Sequence, residues 1–428
     1  MNQTQPTLKP MLKPLVVVVA ALAAVVMVFI ASDRSSAPSV ANAQDIVQAT
    51  ATPRPRPVDN GGSATWEVKS QTFTSNYPVG GTFEIDVSST GGKIVAALVQ
   101  YQHNPSVRKR AEAHFNEASG TWNAGWDTGG TPQWVAVDHW WQLTDESGNV
   151  YLTDLVSDEY EDNTRQWKHL ASEDIIVHWE ATLPEETGQA IVDAMADRRE
   201  FYYQNWGKLL TYTPRAIIYH GYDAVNEWAP GSDTRNPGIG GGVTTRLGGF
   251  TTEGYGAFTG IYLDFSDTPE EMAYGTVLHE IGHLYQYQNG GTFNETWFIE
   301  GDAEFMSNYD NERYLERARE IAATGQLAAL SNIGRSGREA YDVGYAFWYW
   351  FTEKYGADSH LRVWTLIGQG KPGKQASEEI TGMTFLEMEV EFRIWLGAPN
   401  PVPATLRPTE TIFFFPSPTY KPTKTPAP

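Results

Sequence analysis

The sequence predicts two folded units of different class: an all-β antiparallel sandwich followed by an α+β unit. Three observations predict this. From about residue 64 to 172 the chain runs in short period-two stretches separated by turn signals. From about 173 to 398 strands alternate with helical patterns in an α/β texture and then give way to helices. Stretches rich in Pro, Ser, Ala and Thr flank both.

The first 43 residues read as a signal peptide or signal anchor. Leu15–Ala31 is apolar and uncharged, and Lys9 and Lys13 precede it. That charge order puts the N-terminus inside and the rest of the chain across a membrane. Ala41-Asn42-Ala43 is a small-residue cleavage candidate. Membrane attachment through residues 15–31 and a secreted protein are therefore both expected, each with the body outside the cytoplasm. Residues 44–63, with Pro53-Arg54-Pro55-Arg56-Pro57, read as a linker, and 399–428 as a Pro/Thr-rich tail.

In the first unit, 64–172, strands are expected at Thr82–Val87, Lys93–Tyr101, Gln133–Leu143 and Val150–Leu152. The run "WWQLTDESGNVY" resembles a late hairpin of an immunoglobulin or fibronectin type III module, which makes an immunoglobulin-like sandwich the expectation. His103, His114 and His139 lie here and are given no role. In the second unit, 173–398, strands are expected at Ile175–Trp179, Arg215–His220 and Gly260–Phe265, and a helix at Glu185–Asn205.

Composition narrows the chemistry. The 428 residues are 41% hydrophobic and include 15 Trp, enough for packed cores. The absence of Cys excludes disulfides, thiol catalysis and a Cys-ligated metal. A net charge of −21 disfavours nucleic acid and anionic membrane surfaces as partners.

Against that background "VLHEIGHLYQY" stands out. Thr268-Pro269-Glu270-Glu271 opens a helix with a capping box, and Asn289-Gly290-Gly291 closes it. His279 and His283 then lie one turn apart on one face, where two imidazoles reach one cation. Glu280 sits beside them, the place for a general base acting on water. Gly282 costs up to about 1 kcal/mol in a helix interior, so close approach of another element is expected there. A catalytic zinc needs a third protein ligand. "TWFIEGDAEFMSNY" offers Glu300 and Glu304, four apart on one helix face.

His-Glu-x-x-His followed by Trp297-x-x-Glu300-Gly301-x-Ala303-Glu304 resembles the gluzincin metallopeptidases, in particular the peptidase MA-like group that includes the aminopeptidases. The resemblance implies a thermolysin-like α+β zincin domain, Zn²⁺ as cofactor, a peptide or protein substrate, and Glu300 as third ligand. The stretch between His283 and Glu300 holds 16 residues, two fewer than in those aminopeptidases. In thermolysin-like relatives a carboxylate one turn past the ligand Glu supports a ligand histidine, which implies Glu304 beside His279. "EAYDVGY" is similar to the family's oxyanion-stabilising Tyr, three residues before a Gly, which implies a catalytic role for Tyr341. One departure matters: "GAFTGIYLDF" replaces the segment whose Glu holds a substrate amino group. That favours an endopeptidase with substrate added along Gly260–Phe265, Asp264 and Glu253 being the rival anchors. The alternative from another class is a catalytically weak extracellular binding or adhesion protein with a relic zinc domain. Zinc-dependent hydrolysis of a non-peptide ester or amide also remains open.

Overall fold

The computed structural model describes residues 61–103, 107–126, 131–228, 249–252, 254–262, 268–290, 295–333 and 338–403. The apolar run Leu15–Ala31, Glu253, Asp264 and the tail from residue 404 lie outside them. Among the described residues, no helix is long and apolar enough to cross a membrane.

The first part is built from nine strands: β1 Trp66–Ser75, β2 Gly81–Ser89, β3 Ile94–His103, β4 Val107–Glu112, β5 His114–Asn116, β6 Thr121–Trp126, β7 Ala136–Asp145, β8 Val150–Leu152 and β9 Val156–Glu159. One sheet has the order β1-β2-β6-β5 and the other β4-β3-β7-β8, with β9 also on β7. All of these pairings are antiparallel. Period-two alternation explains the layering. Phe83 and Ile85 of β2, Val99 and Tyr101 of β3, and Trp141 and Leu143 of β7 are buried in one core.

A third sheet follows, ordered β10-β11-β12-β14-β13. Its strands are β10 Trp167–Ala171, β11 Ile176–Glu180, β12 Arg215–His220, β13 Gly249–Thr252 and β14 Ala257–Tyr262. β11, β12 and β14 run parallel, and β10 and β13 are antiparallel at the ends. Two expectations need correction. Trp167–Ala171, placed with the sandwich at the sequence level, pairs with β11, so this sheet begins before residue 173. The strand expected at Gly260–Phe265 runs instead over Ala257–Tyr262 and lies inside the sheet, with β12 on one side and β13 on the other. Its backbone is already paired, so it has no free edge to offer a peptide. Among the described residues the terminal strand on that side is β13.

Both faces of this sheet are covered. Ala216 and Ile218 of β12 and Phe258 of β14 join a helical core. Ile217 and Tyr219 of β12 and Ala257 and Ile261 of β14 join the sandwich core. Arg215 fastens the second contact, donating from Nε to the Trp134 carbonyl at 2.8 Å and pairing with Glu159 at 2.7 Å.

The helical side contains α1 Thr187–Trp206, α2 Asp223–Trp228, α3 Leu278–Gln288, α4 Thr296–Ser307, α5 Asn311–Ala323, α6 Glu339–Tyr355, α7 Ser359–Gly368, α8 Gly373–Thr381 and α9 Phe385–Leu396. α4 and α6 cross backbone to backbone. A Cβ at Gly301 would stand 2.2 Å from the carbonyl carbon of Gly344, so neither position accommodates a larger residue without movement. The Trp348 indole, donating to the Phe298 carbonyl at 3.0 Å, holds the same crossing.

Candidate metal centre

The site is built on the helix that the capping box starts. Thr268 Oγ1 accepts from the Glu271 amide at 3.1 Å, and Glu271 accepts from the Thr268 amide at 2.9 Å. Pro269 occupies the first turn, as the sequence indicated. The next segment, Met272–Val277, is a π-helical turn, a wide form that occurs mostly in short pieces and often near functional sites. Regular α geometry resumes at Leu278, so His279 and His283 share a face, with their Nε2 atoms 3.1 Å apart. Gly282 has the neighbour expected of it: a Cβ there would meet the Ala303 Cα at 3.0 Å. The helix propensity lost at glycine is offset by the close packing of α3 on α4, which carries the acidic residues in.

Glu300 Oε2 lies 3.3 Å from His279 Nε2 and 3.5 Å from His283 Nε2. These three residues form the one group of potential metal ligands found among the described residues. Donors bound tetrahedrally to zinc at about 2.0–2.2 Å are separated by roughly 3.3–3.5 Å. The observed triangle, 3.1, 3.3 and 3.5 Å, fits that requirement, and two imidazoles with one carboxylate are a donor set suited to zinc. The electrostatics agree. Burial pulls His283 down, but the charge and hydrogen bond of Glu300, the charge of Glu280 and a hydrogen bond to Gln286 outweigh it and raise it to about 10. His279 is also raised: Glu304 and Glu300 overcome its burial. Glu300 is held below the usual carboxylate range, since the two histidines outweigh its own burial. The pocket is arranged to hold positive charge.

Glu280 is buried, and Thr251 on β13 donates to its Oε2 at 2.6 Å. Burial raises its pKa, against the pull of His283, His279 and that hydrogen bond. Tyr341, on the first turn of α6, stacks beside His279 with ring centroids 5.9 Å apart, and its hydroxyl hydrogen-bonds Glu300. Burial, then the charges of Glu300, Glu280 and Glu304, push its phenol up, so it stays protonated as a donor. The Gly301–Gly344 crossing brings Tyr341 and Glu300 together.

Glu304 is placed less simply than expected. Its Oε1 is 3.6 Å from His279 Nδ1, an ion-pair separation beyond hydrogen-bond range. Its Oε2 accepts from the Tyr314 hydroxyl at 2.5 Å, which draws the carboxylate toward α5. His279 Nδ1 has no hydrogen-bond partner.

The structure adds residues that the sequence reading missed. His283 Nδ1 is 2.9 Å from Gln286 Oε1. The Gln286 amide nitrogen donates to the Ile299 carbonyl and to Asp302 Oδ2, each at 2.9 Å. Asp302 Oδ1 lies 2.6 Å from His360 Nε2, and His360 Nδ1 lies 2.9 Å from the Asn205 carbonyl. Gln286, Asp302 and His360 are all buried.

No family model and no curated protein matches this chain. Among solved structures, a two-domain M1 zinc metallopeptidase bound to L-arginine is similar over 80% of this chain and 96% of its own, at 12% identity and a TM-score of 0.37. An M1 zinc metallopeptidase from Deinococcus radiodurans is similar over 80% of this chain and 97% of its own, at 12% identity and a TM-score of 0.35. A family 56 carbohydrate-binding module, a beta-1,3-glucan binding domain, is similar over 23% of this chain and 99% of its own, at 12% identity and a TM-score of 0.15. Likenesses this distant carry no functional weight, which falls instead on the geometry of the site.

Proposed function

We propose that this chain is a zinc-dependent metallopeptidase that cleaves peptide bonds within extended substrates, outside the cytoplasm. The observation that carries the reading is the ligand triangle of His279, His283 and Glu300, with the buried carboxyl of Glu280 beside it. A zinc ion held there supplies Lewis acidity to the scissile carbonyl and to a water. Glu280, kept above the ordinary carboxylate pKa, takes a proton from the attacking water and passes it to the leaving amine. Thr251 fixes the carboxyl for that transfer. Tyr341 donates its phenolic hydrogen to the developing oxyanion, a contribution of several kcal/mol where water is excluded. Glu304 supports His279 through charge. β13, at the end of the sheet and tied to Glu280 through Thr251, takes the role first assigned to Gly260–Phe265. An extended peptide paired along it needs no free terminus.

The strand order β1-β2-β6-β5 facing β4-β3-β7-β8 is that of an immunoglobulin-type sandwich and supports the expected first unit. The helices packed on one face of the third sheet support the thermolysin-like α+β reading of the second. Localisation rests on Leu15–Ala31 with its preceding lysines.

The test is hydrolysis of a library of N-terminally blocked peptides by the purified protein, with and without a chelator. Chelator-sensitive cleavage at internal bonds is expected, at rates similar to those of unblocked peptides. Cleavage only of unblocked peptides would make the enzyme an aminopeptidase. Stoichiometric zinc without cleavage of any peptide would overturn the peptidase reading.

A further inference from the structure

Gln286, one turn beyond His283, has both amide hydrogens committed elsewhere. Its nitrogen faces the Ile299 carbonyl and Asp302 Oδ2. A backbone carbonyl only accepts, so this orientation is fixed without reference to any histidine. Oε1 is therefore turned toward His283 Nδ1 at 2.9 Å, where it only accepts. His283 must carry a proton on Nδ1, and Nε2 is directed at the triangle of ligand atoms. A histidine side chain free in water prefers its proton on Nε2, the nitrogen that would bind the metal.

Asp302 and His360 make the arrangement rigid. Both carboxyl oxygens of Asp302 are engaged, one with Gln286 and one with His360. The far nitrogen of His360 donates to the Asn205 carbonyl on α1. Asp302 and His360 are fully buried and have no water with which to exchange these bonds. A rotated Gln286 would set its carbonyl against two acceptors and its amide hydrogens against the His283 N–H, leaving several buried groups unsatisfied at about 1–3 kcal/mol each. His279 has no such support, since its Nδ1 lacks a hydrogen-bond partner.

From this geometry we propose that Gln286, clamped by Asp302 and His360, is a positioning residue that holds the Nδ1 proton of His283, so that the ring meets an ion through Nε2 alone. The proposal rests on the metal reading of His279, His283 and Glu300.

The experiment measures two properties of the full chain: Zn²⁺ affinity, by competition with a chelator, and the nitrogen through which His283 holds the ion, by ¹⁵N-histidine NMR of the Zn²⁺-loaded protein. Wild type should show one form only, with Nε2 on the ion and Nδ1 protonated. Gln286→Leu should show a mixture and bind Zn²⁺ about 10- to 100-fold more weakly, the usual cost of losing such a partner. If the leucine variant does not fold, Gln286→Asn, one methylene too short to reach His283, carries the same expectation. Wild-type affinity and wild-type coordination of the ion in Gln286→Leu would overturn the proposal while the metal site stands. A wild-type chain that takes up no Zn²⁺ overturns both.

Discussion

Two sets of buried histidines in this molecule respond to burial in opposite ways. In the sandwich and at its contact with the third sheet, His103 and His178 have lost solvent and gained little charge in exchange. Burial lowers His103 from 6.5 to about 4, with a smaller push from Lys109. Burial also lowers His169 and His178, the latter further opposed by His169 and Arg215. The rings pack against aromatics: His103 lies 4.8 Å from Trp126, and His178 stacks on Trp134 at 4.9 Å. His279 and His283 are raised, because Glu300, Glu304 and Glu280 surround them. Burial makes a histidine neutral; carboxylates placed around it turn the same ring into part of a cation site. The same ring thus becomes packing material or chemistry by the company it keeps.

The sharpest way to break this contrast is to remove the central carboxylate. Glu300→Ala should abolish stoichiometric zinc uptake by elemental analysis, whereas Glu280→Gln should retain the metal and lose about 10²- to 10⁴-fold in turnover. One zinc per chain in Glu300→Ala would mean that the two histidines suffice and that the contrast is misdrawn.

A smaller effect is expected from disturbing the scaffold that brings the carboxylates in. Gly301→Ala places a methyl 2.2 Å from the Gly344 backbone, and α4 must separate from α6. A loss of about 3 kcal/mol in urea unfolding is expected, at the upper end of ordinary overpacking. An unchanged midpoint would show that the crossing is looser than the geometry states.

The aromatic-packed set is tested by acid. The folded-state pKa of His103 is lowered, so the unfolded chain binds the proton more tightly. Its contribution to stability is complete above pH 6.5 and is lost as pH falls toward about 4. For this residue the loss should reach about 2 kcal/mol at pH 5. His103→Phe should reduce the difference between urea midpoints at pH 7 and pH 5. An identical acid dependence in that variant would assign the effect to other groups.

What the sequence made legible follows from how local each signal is. The capping box, the His-Glu-x-x-His turn and the Glu300-Gly301 pair are short-range patterns, and the structure brings His279, His283 and Glu300 together. Gln286 had a readable signal, since positions 279, 283 and 286 share one helix face. Asp302 could be seen as an acid within an apolar helix, but His360 is 58 residues away from it and nothing in the sequence connects them. β1 was missed because Lys69, Ser70 and Gln71 blur its alternation around a register shift. β13, "GFTT", is too short and too rich in Gly and Thr to stand out, so the sheet edge was assigned to its more apolar neighbour. The apolar run of β12 fits a strand buried on both faces, yet the pattern does not say what covers the second face.

That second face has a consequence for whether the molecule divides. Without residues 61–166, Ile217, Tyr219 and Ile261 would lie open to water. At about 1.5–3 kcal/mol each, the three together approach the entire net stability of an ordinary fold, about 5–15 kcal/mol. A calorimeter should therefore record one endotherm for the described chain, and a protease should not release the helical half intact. The enzyme proposed here cannot be inherited or transplanted as a free cassette, because a wall of its catalytic half is also the floor of the sandwich.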